Sequence, residues 1–277
     1  MKKYFGLIAM LVVCLLAVMS VSAADTTVYL NDGGTGDGSS ASAPLGDIVE
    51  AINKAANGGK IVITDTYTML DAIYEPTHKG DIVITGGTFD LNAETFNRYY
   101  LAGPGSTTFE NINLHDASGD SKKGLVVVAQ FNELIMGEGV DTMTTKTYLI
   151  GGFQVPFEEN IKLDLDSHIT IKSGKYYTVN SEGNKDAFYA VYVTNGATVT
   201  IENGEFSGLN NWSNLSEGTS CVVSGDNDVN LPTGSVTIKG GKFSGKAYNH
   251  VTKTTYQPES WVAIEGDDTF KWTVKAE

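Results

Sequence analysis

An all-β solenoid is the fold class that the sequence predicts, and three observations predict it. The first is a phrase that recurs at Asp81–Asp90, His168–Tyr177, Thr198–Ser207 and Ser235–Ser244. Each copy opens with a β-branched alternation of period two, which is strand chemistry. A polar break of two residues ending in glycine follows, then one residue and an aromatic. The glycine permits a tight corner that a Cβ would obstruct, so each copy reads as strand, corner, strand. The second observation is that the corner glycines, Gly87, Gly174, Gly204 and Gly241, are unevenly spaced. Variable insertions between constant corners suit a stacked coil whose loops grow on one side. A β-sandwich also has many short strands, but gives no reason for one corner to return. The third is cysteine usage. Of the two cysteines, Cys14 lies in the apolar N-terminal segment, and Cys221 is left without a partner. An exported chain of this size without a disulfide needs a large regular core, which stacked repeats supply. Cys221 itself reads as a small buried hydrophobe.

The chain begins with Lys2 and Lys3, runs apolar from Tyr4 to Val21, and reaches a small-x-small site at Val21-Ser22-Ala23. This pattern is a secretory signal peptide over 1–23, leaving 24–277 as the mature domain. A retained anchor is the lesser reading of that apolar run. Lipidation at Cys14 is disfavoured because Val13 is larger than the small residue expected before the modified cysteine.

Val28–Leu30 is a short strand, and Asn31–Ser40 is polar and glycine-rich enough to be a loop. From Pro44, the residues Leu45, Ile48, Val49, Ile52, Ala55 and Ala56 share one helical face. Gly58-Gly59 stops that helix, and Lys60–Thr64 is the next strand. A strand, a Gly/Asp/Ser loop, a Pro-Leu-x-x-Ile-x-x-Ala-Ile helix, a Gly-Gly stop and an Ile-Val-Ile strand together resemble the opening of the pectin-lyase-like superfamily. The resemblance covers most of the chain after Asp25. It implies a right-handed single-stranded parallel β-helix over 24–277, with a short capping helix in 44–59. In that family the helix plugs the open end, which would otherwise expose apolar interior and unpaired strand edge.

Short strands continue through Thr107–Leu114, Leu125–Val128, Leu134–Met136, Tyr148–Phe153 and Lys162–Asp166. The polar stretches 115–123, 141–146, 178–187 and 207–219 read as loops. Tyr256–Ile264 and Thr269–Val274, joined through Glu265–Asp268, form a C-terminal β-hairpin within 260–275. A Gly-Gly-x-Phe-Ser unit followed by such a hairpin resembles the last turns of adhesin-like secreted or surface β-helix proteins of gut-type microbes. No Leu-Pro-x-Thr-Gly sorting tail or second apolar segment occurs in the sequence.

The formal charge is −14, with Arg98 as the only arginine. Loss of Lys2 and Lys3 makes the remainder more acidic still. Double-stranded nucleic acid and anionic membrane are therefore excluded as partners beyond the signal segment, and the acidity favours solubility.

The resemblance brings in pectate lyases and polygalacturonases, so catalytic motifs are tested residue by residue. The lyases of that family pair an acidic Ca²⁺ cluster with a basic residue, and here the lone Arg98 stands in Asn97-Arg98-Tyr99-Tyr100. The Asn-Thr-Asp, Gly-His-Gly and Arg-Ile-Lys motifs of the hydrolases are missing, and Asp267-Asp268 matches their acidic pair only as a dipeptide. His78, His115, His168 and His250 lack metal-ligand spacing. His115-Asp116 has the composition of a base and its orienter but lies at a strand exit. Asp164 and Asp166 alternate with leucines, giving paired outward carboxylates of the kind a glycosidase uses and an acidic strand shows. No catalytic residue is assigned.

Two sets of binding residues remain. Phe89, Tyr176, Phe206 and Phe243 follow the corner glycine and are expected to stack inside. Tyr177, Tyr189, Tyr192 and Trp212 are the candidates for outward sugar-stacking aromatics. Asp226 and Asp228 of Asp226-Asn227-Asp228 have the alternating oxygen ligands that suit Ca²⁺, the only ion expected, although a plain turn shows the same pattern. Asp32 and Asp37 carry the same ambiguity. The expected function is a secreted or cell-surface, non-catalytic, adhesin-like protein with polysaccharide or a cell-surface glycan as partner. A divergent polysaccharide lyase or glycoside hydrolase of the same fold is the alternative, and a structural spacer the third.

Overall fold

The computed structural model describes residues 26–56, 58–71, 73–75, 80–90, 99–101, 105–115, 125–129, 133–144, 148–152, 168–178, 189–193, 197–207, 222–224, 235–249, 254–255, 261–267 and 269–274. The expected signal segment lies outside them. Among the described residues the protein is all-β with a single helix, Ile48–Ala55 (α1), and its strands form three sheets of ten, nine and eight strands.

The first sheet runs in parallel through Thr27–Leu30, Gly59–Ile63, Ile82–Thr85, Ser106–Glu110, Glu133–Met136, His168–Ile171, Thr198–Ile201 and Ser235–Ile238. The second runs through Thr66–Thr68, Thr88–Asp90, Ile112–His115, Val140–Thr144, Lys175–Thr178, Glu205–Ser207 and Gly241–Phe243. The third runs through Ile73–Tyr74, Tyr99–Leu101, Leu125–Ala129, Tyr148–Gly152, Tyr189–Val193, Val222–Ser224 and Tyr248–Asn249. After Gly59 the chain visits the three sheets in rotation, so each strand pairs with the strand three places on. Alternation sends one face inward: Ile61, Ile84, Phe109, Met136, Ile171 and Ile201 of the first sheet join Phe89, Tyr176 and Phe206 of the second and Tyr99 and Val191 of the third in one hydrophobic cluster.

The four corners read from sequence lie between a strand of the first sheet and one of the second. At Gly204, φ is +134°, and an added Cβ would come within 3.0 Å of the Phe206 ring. The aromatic two residues on folds back over its own corner, so only glycine fits there. Among the described residues three further corners escaped the motif. Thr64–Asp65 joins Gly59–Ile63 to Thr66–Thr68. Another is Asn111, which holds φ +47° without being glycine and whose N–H donates to the Glu138 carbonyl at 2.7 Å; asparagine tolerates this region. The third is Gly137–Gly139, between Glu133–Met136 and Val140–Thr144. Consequently 141–144 is strand where a loop is expected. Thr142 turns inward, and its hydroxyl donates to the Lys175 carbonyl at 2.9 Å, so parallel neighbours override the polar sequence.

Asn31–Ser40 also departs from its expected loop, because Thr35–Ser40 pairs antiparallel with Ala43–Leu45. Its glycines make the pairing close: a Cβ on Gly36 would lie 2.2 Å from the Ala43 carbonyl oxygen. This hairpin adds to the outer edge of Thr27–Leu30. α1 starts three residues after Leu45, with the Asp47 side chain accepting the Glu50 N–H at 2.7 Å as N-cap. Its buried face is Ile48, Ala51, Ile52 and Ala55, while Val49 is exposed. Starting the helix at Ile48 brings Ala51 inward and turns Val49 out. The first edge of the second sheet is closed by polar groups. Asp32 accepts the N–H and hydroxyl of Thr68 at 2.8 and 2.7 Å and donates its own N–H to the Thr66 carbonyl at 3.0 Å. At the far end Trp272–Val274 pairs antiparallel with both Gly241–Phe243 and Trp261–Ala263, and Thr254–Thr255 closes the third sheet.

Among the described residues one charged residue sits in the core. Glu75 is 3% exposed, and its Oε1 accepts hydroxyl hydrogen bonds from Tyr99 and Thr107, each at 2.7 Å. Burial, and then the Glu75 charge, push the Tyr99 phenol well above its ordinary range, so it remains a donor.

Candidate functional site

The outward face of the second sheet carries the most developed polar arrangement among the described residues. Register alone builds it. Asp141, Lys175, Glu205 and Lys242 are successive partners, one per strand, giving a ladder of alternating sign. In the next column Met143, Tyr177 and Ser207 are partners in the same way. Lys175, Glu205 and Lys242 each hold the position between the corner glycine and the inward aromatic, and Asp141 stands between the inward Val140 and Thr142, so alternation points all four outward.

Tyr177 is held at its hydroxyl and at its ring. Its hydroxyl donates to Glu205 Oε2 at 2.8 Å. The other oxygen of Glu205 meets Lys242 Nζ at 3.3 Å. The Tyr177 ring packs on Phe270, with centroids 6.1 Å apart and planes tilted by 45°, while Lys242 Nζ lies 5.9 Å from the same Phe270 ring. Burial first, then the hydrogen bond to Glu205 and the charges of Glu205, Asp141 and Asp267, hold the Tyr177 phenol far above its ordinary value. It therefore stays protonated, and its hydroxyl is committed to Glu205.

Phe270 is positioned by the turn before it. Asp267 Oδ1 accepts the N–H groups of Thr269 and Phe270 at 2.8 and 2.9 Å, and Lys271 Nζ donates to the Asp267 carbonyl at 2.7 Å. Those two backbone donors, with Lys242 and Lys271 nearby, lower the Asp267 pKa. The result is a half-buried aromatic face flanked by a carboxylate and an ammonium. Apolar ring area beside one acceptor and one donor is what a sugar ring needs, since its C–H face stacks and its hydroxyls both donate and accept.

The other predicted site residues fall elsewhere. Tyr189 and Tyr192 lie on Tyr189–Val193 of the third sheet, paired with Tyr148 and Gly151, and so are not on the face that carries Tyr177. Their side chains lie outside the described residues, as do Trp212, Asp226, Asp228, Asp164, Asp166 and Cys221 entirely. The backbone register sets His115 beside Asp90, whereas Asp116 lies outside the described residues. His168 Nδ1 hydrogen-bonds Thr198 Oγ1, a surface contact between neighbouring strands. Asp32 and Asp37 serve their own neighbourhoods: Asp32 caps Thr68, and Asp37 accepts from the backbone and hydroxyl of Ser39 at 3.0 and 2.6 Å. Among the described residues no group of three or more His, Cys, Asp or Glu is arranged to hold a metal ion.

Sequence reasoning found Tyr177 but missed Glu205, Lys242 and Phe270. A signal for two of them was present, because the residue after the corner glycine reads Lys175, Glu205, Lys242 in consecutive copies, and opposite charges directly across a parallel ladder attract. No family model, curated protein or solved structure matches this chain.

Proposed function

We propose that this protein is a secreted or cell-surface, non-catalytic binding protein of adhesin-like type. Its three sheets are the faces of one right-handed parallel β-helix of pectin-lyase-like form, and one face recognises polysaccharide. The rotation of the chain through three parallel sheets and the repeated corner support the β-helix. The single observation that carries the binding role is Tyr177, half-buried on the outward face of the second sheet with its ring seated on Phe270 and its hydroxyl fixed by Glu205. A fixed ring loses little freedom when a sugar stacks on it, and such preorganisation is where affinity is gained. The alternating ladder of Asp141, Lys175, Glu205 and Lys242 supplies hydrogen-bonding groups at the strand repeat, which suits an extended chain of sugars.

The test is retention of the purified protein on a panel of immobilised neutral and acidic polysaccharides, with product formation read on the same samples with and without Ca²⁺. Retention on at least one polysaccharide is expected, weakened about tenfold by Tyr177→Ala, which corresponds to about 1.4 kcal/mol. No unsaturated products and no new reducing ends are expected. Turnover would replace this reading with the divergent lyase or hydrolase. Retention that Tyr177→Ala leaves unchanged would remove the second-sheet face from the proposal.

A further inference from the structure

We propose that Asn203–Gly204 is a site of spontaneous deamidation and isomerisation, built into the corner between Thr198–Ile201 and Glu205–Ser207. The backbone N–H of Gly204 donates to Asn203 Oδ1 at 2.9 Å, so the amide group of the asparagine is already folded against the nitrogen that attacks it. The side-chain amide therefore lies beside the nitrogen, and ring closure needs that N–H to turn off Oδ1 so that its nitrogen can meet Cγ. Asn203 is exposed, and its Nδ2, the leaving group, bonds no described residue. Gly204 has no Cβ to shield its nitrogen. The surrounding backbone is fixed, with the Glu205 N–H on the Gly174 carbonyl and the Lys242 N–H on the Gly204 carbonyl, both at 2.8 Å. The matching corners at Gly86-Gly87, Ser173-Gly174 and Gly240-Gly241 carry no amide. The other described asparagines, Asn31, Asn53, Asn111, Asn113 and Asn249, each precede a residue with a side chain.

The chemistry needs only water. Solvent base removes the Gly204 N–H proton, and the freed electron pair forms a bond to Asn203 Cγ. The Cγ–Nδ2 bond breaks, and Nδ2 takes a proton from water and leaves as ammonia. Water then opens the five-membered imide at one of its two carbonyls, giving aspartate or isoaspartate, with no redox change. Isoaspartate routes the backbone through the former side chain and lengthens the corner by one carbon. This corner has no room for that: a Cβ on Gly204 already meets the Phe206 ring at 3.0 Å, and Phe206 is stacked between Tyr176 and Phe243. Conversion also sets a new carboxylate two residues from Glu205. The site is therefore a chemical clock on the register of this part of the core.

The inference does not depend on glycan binding. The test incubates the folded protein in mildly alkaline buffer beside a free peptide spanning residues 197–207, and maps conversion peptide by peptide through ammonia loss and isoaspartate content. Asn203 in the folded protein is expected to convert roughly tenfold or more faster than Asn113 in the same sample. Asn203→Ser, which copies the Ser173 corner, should fold and abolish conversion in that segment, and the converted fraction of the parent protein should melt earlier. Asn57-Gly58 and Asn195-Gly196 share the dipeptide, and the mapping separates them. An intact Asn203 in the folded protein while the free peptide converts would overturn the proposal.

Discussion

Toward the N-terminal end of the core, Tyr67, Phe89, Tyr99 and Phe109 meet mainly edge to face, with Phe89–Phe109 tilted at 38° and 6.5 Å apart. Their centroids lie 5.7 Å apart for Tyr67–Phe89 and 5.8 Å for Phe89–Tyr99, with planes at 66° and 90°. Toward the C-terminal end, Tyr176, Phe206 and Phe243 lie nearly flat on one another, 5.0 and 4.9 Å apart at 11° and 7°. The first group draws its rings from all three sheets, so they converge across the interior and choose the edge-to-face contact that ring quadrupoles favour. The second draws every ring from one sheet at one register position. Its spacing is that of neighbouring strands, about 4.8 Å, which falls in the range that parallel rings favour when offset. Backbone register sets the second arrangement, whereas the first gathers its rings from three sheets.

The largest test of this difference is Phe206→Ala. Its ring lies between two others and is fully buried, so truncation should cost about 3–5 kcal/mol. Glu205→Ala, the adjacent residue on the outward face, removes a part-exposed ion pair and one hydrogen bond and should cost less than about 1.5 kcal/mol. Denaturant unfolding of the two variants compares them directly. Equal losses would mean that the register placing Phe206 inward and Glu205 outward is wrong.

The N-terminal group should break in another way, because a polar centre holds it. Glu75→Ala leaves the buried Tyr99 and Thr107 hydroxyls without their shared acceptor. An abandoned buried donor costs about 1–3 kcal/mol, so a loss of about 2–3 kcal/mol is expected. Glu75→Gln, which keeps an acceptor oxygen, should recover much of it. Should Glu75→Ala prove neutral while Phe206→Ala is severe, the carboxylate does not organise the edge-to-face group.

The two regions were unequally legible. The stacked group was readable because its corners repeat in full, and Gly-x-aromatic fixes both the turn and the ring. The edge-to-face group was only partly readable. Phe89 belongs to a motif copy, but Tyr99 arrives from the third sheet and Phe109 precedes a corner made by Asn111. That corner uses a residue whose tolerance of positive φ is real but whose presence is a weak signal. The Thr35–Ser40 strand was hidden because glycine is read as a loop former, whereas here its missing Cβ permits close pairing with Ala43–Leu45. Glu75 was invisible for another reason: no local pattern marks a lone acid that a distant tyrosine and threonine will satisfy. The site divides along the same line. Tyr177 follows from alternation, whereas Phe270 reaches it only through the C-terminal hairpin.

The smallest expected effect concerns that hairpin. Asp267 is part-exposed and is held below its ordinary pKa by the Phe270 and Thr269 N–H groups, with Lys242 and Lys271 adding to the shift. A depressed folded-state pKa stabilises the turn above the unfolded value of 3.8, and that contribution is lost as pH falls through the folded value. The stacked rings carry no titrating group in this window, and the hairpin beside them does. Asp267→Asn keeps an acceptor oxygen and removes the charge, so it should change little at neutral pH and flatten the acid dependence. Hydrogen exchange at the Phe270 amide is the local readout. In the parent protein its protection should fall with acid before that of the Phe206 amide, whereas in the variant the two should run in parallel. An unchanged acid dependence in Asp267→Asn would mean that another group titrates there, and that the seat under Tyr177 is not held by this carboxylate.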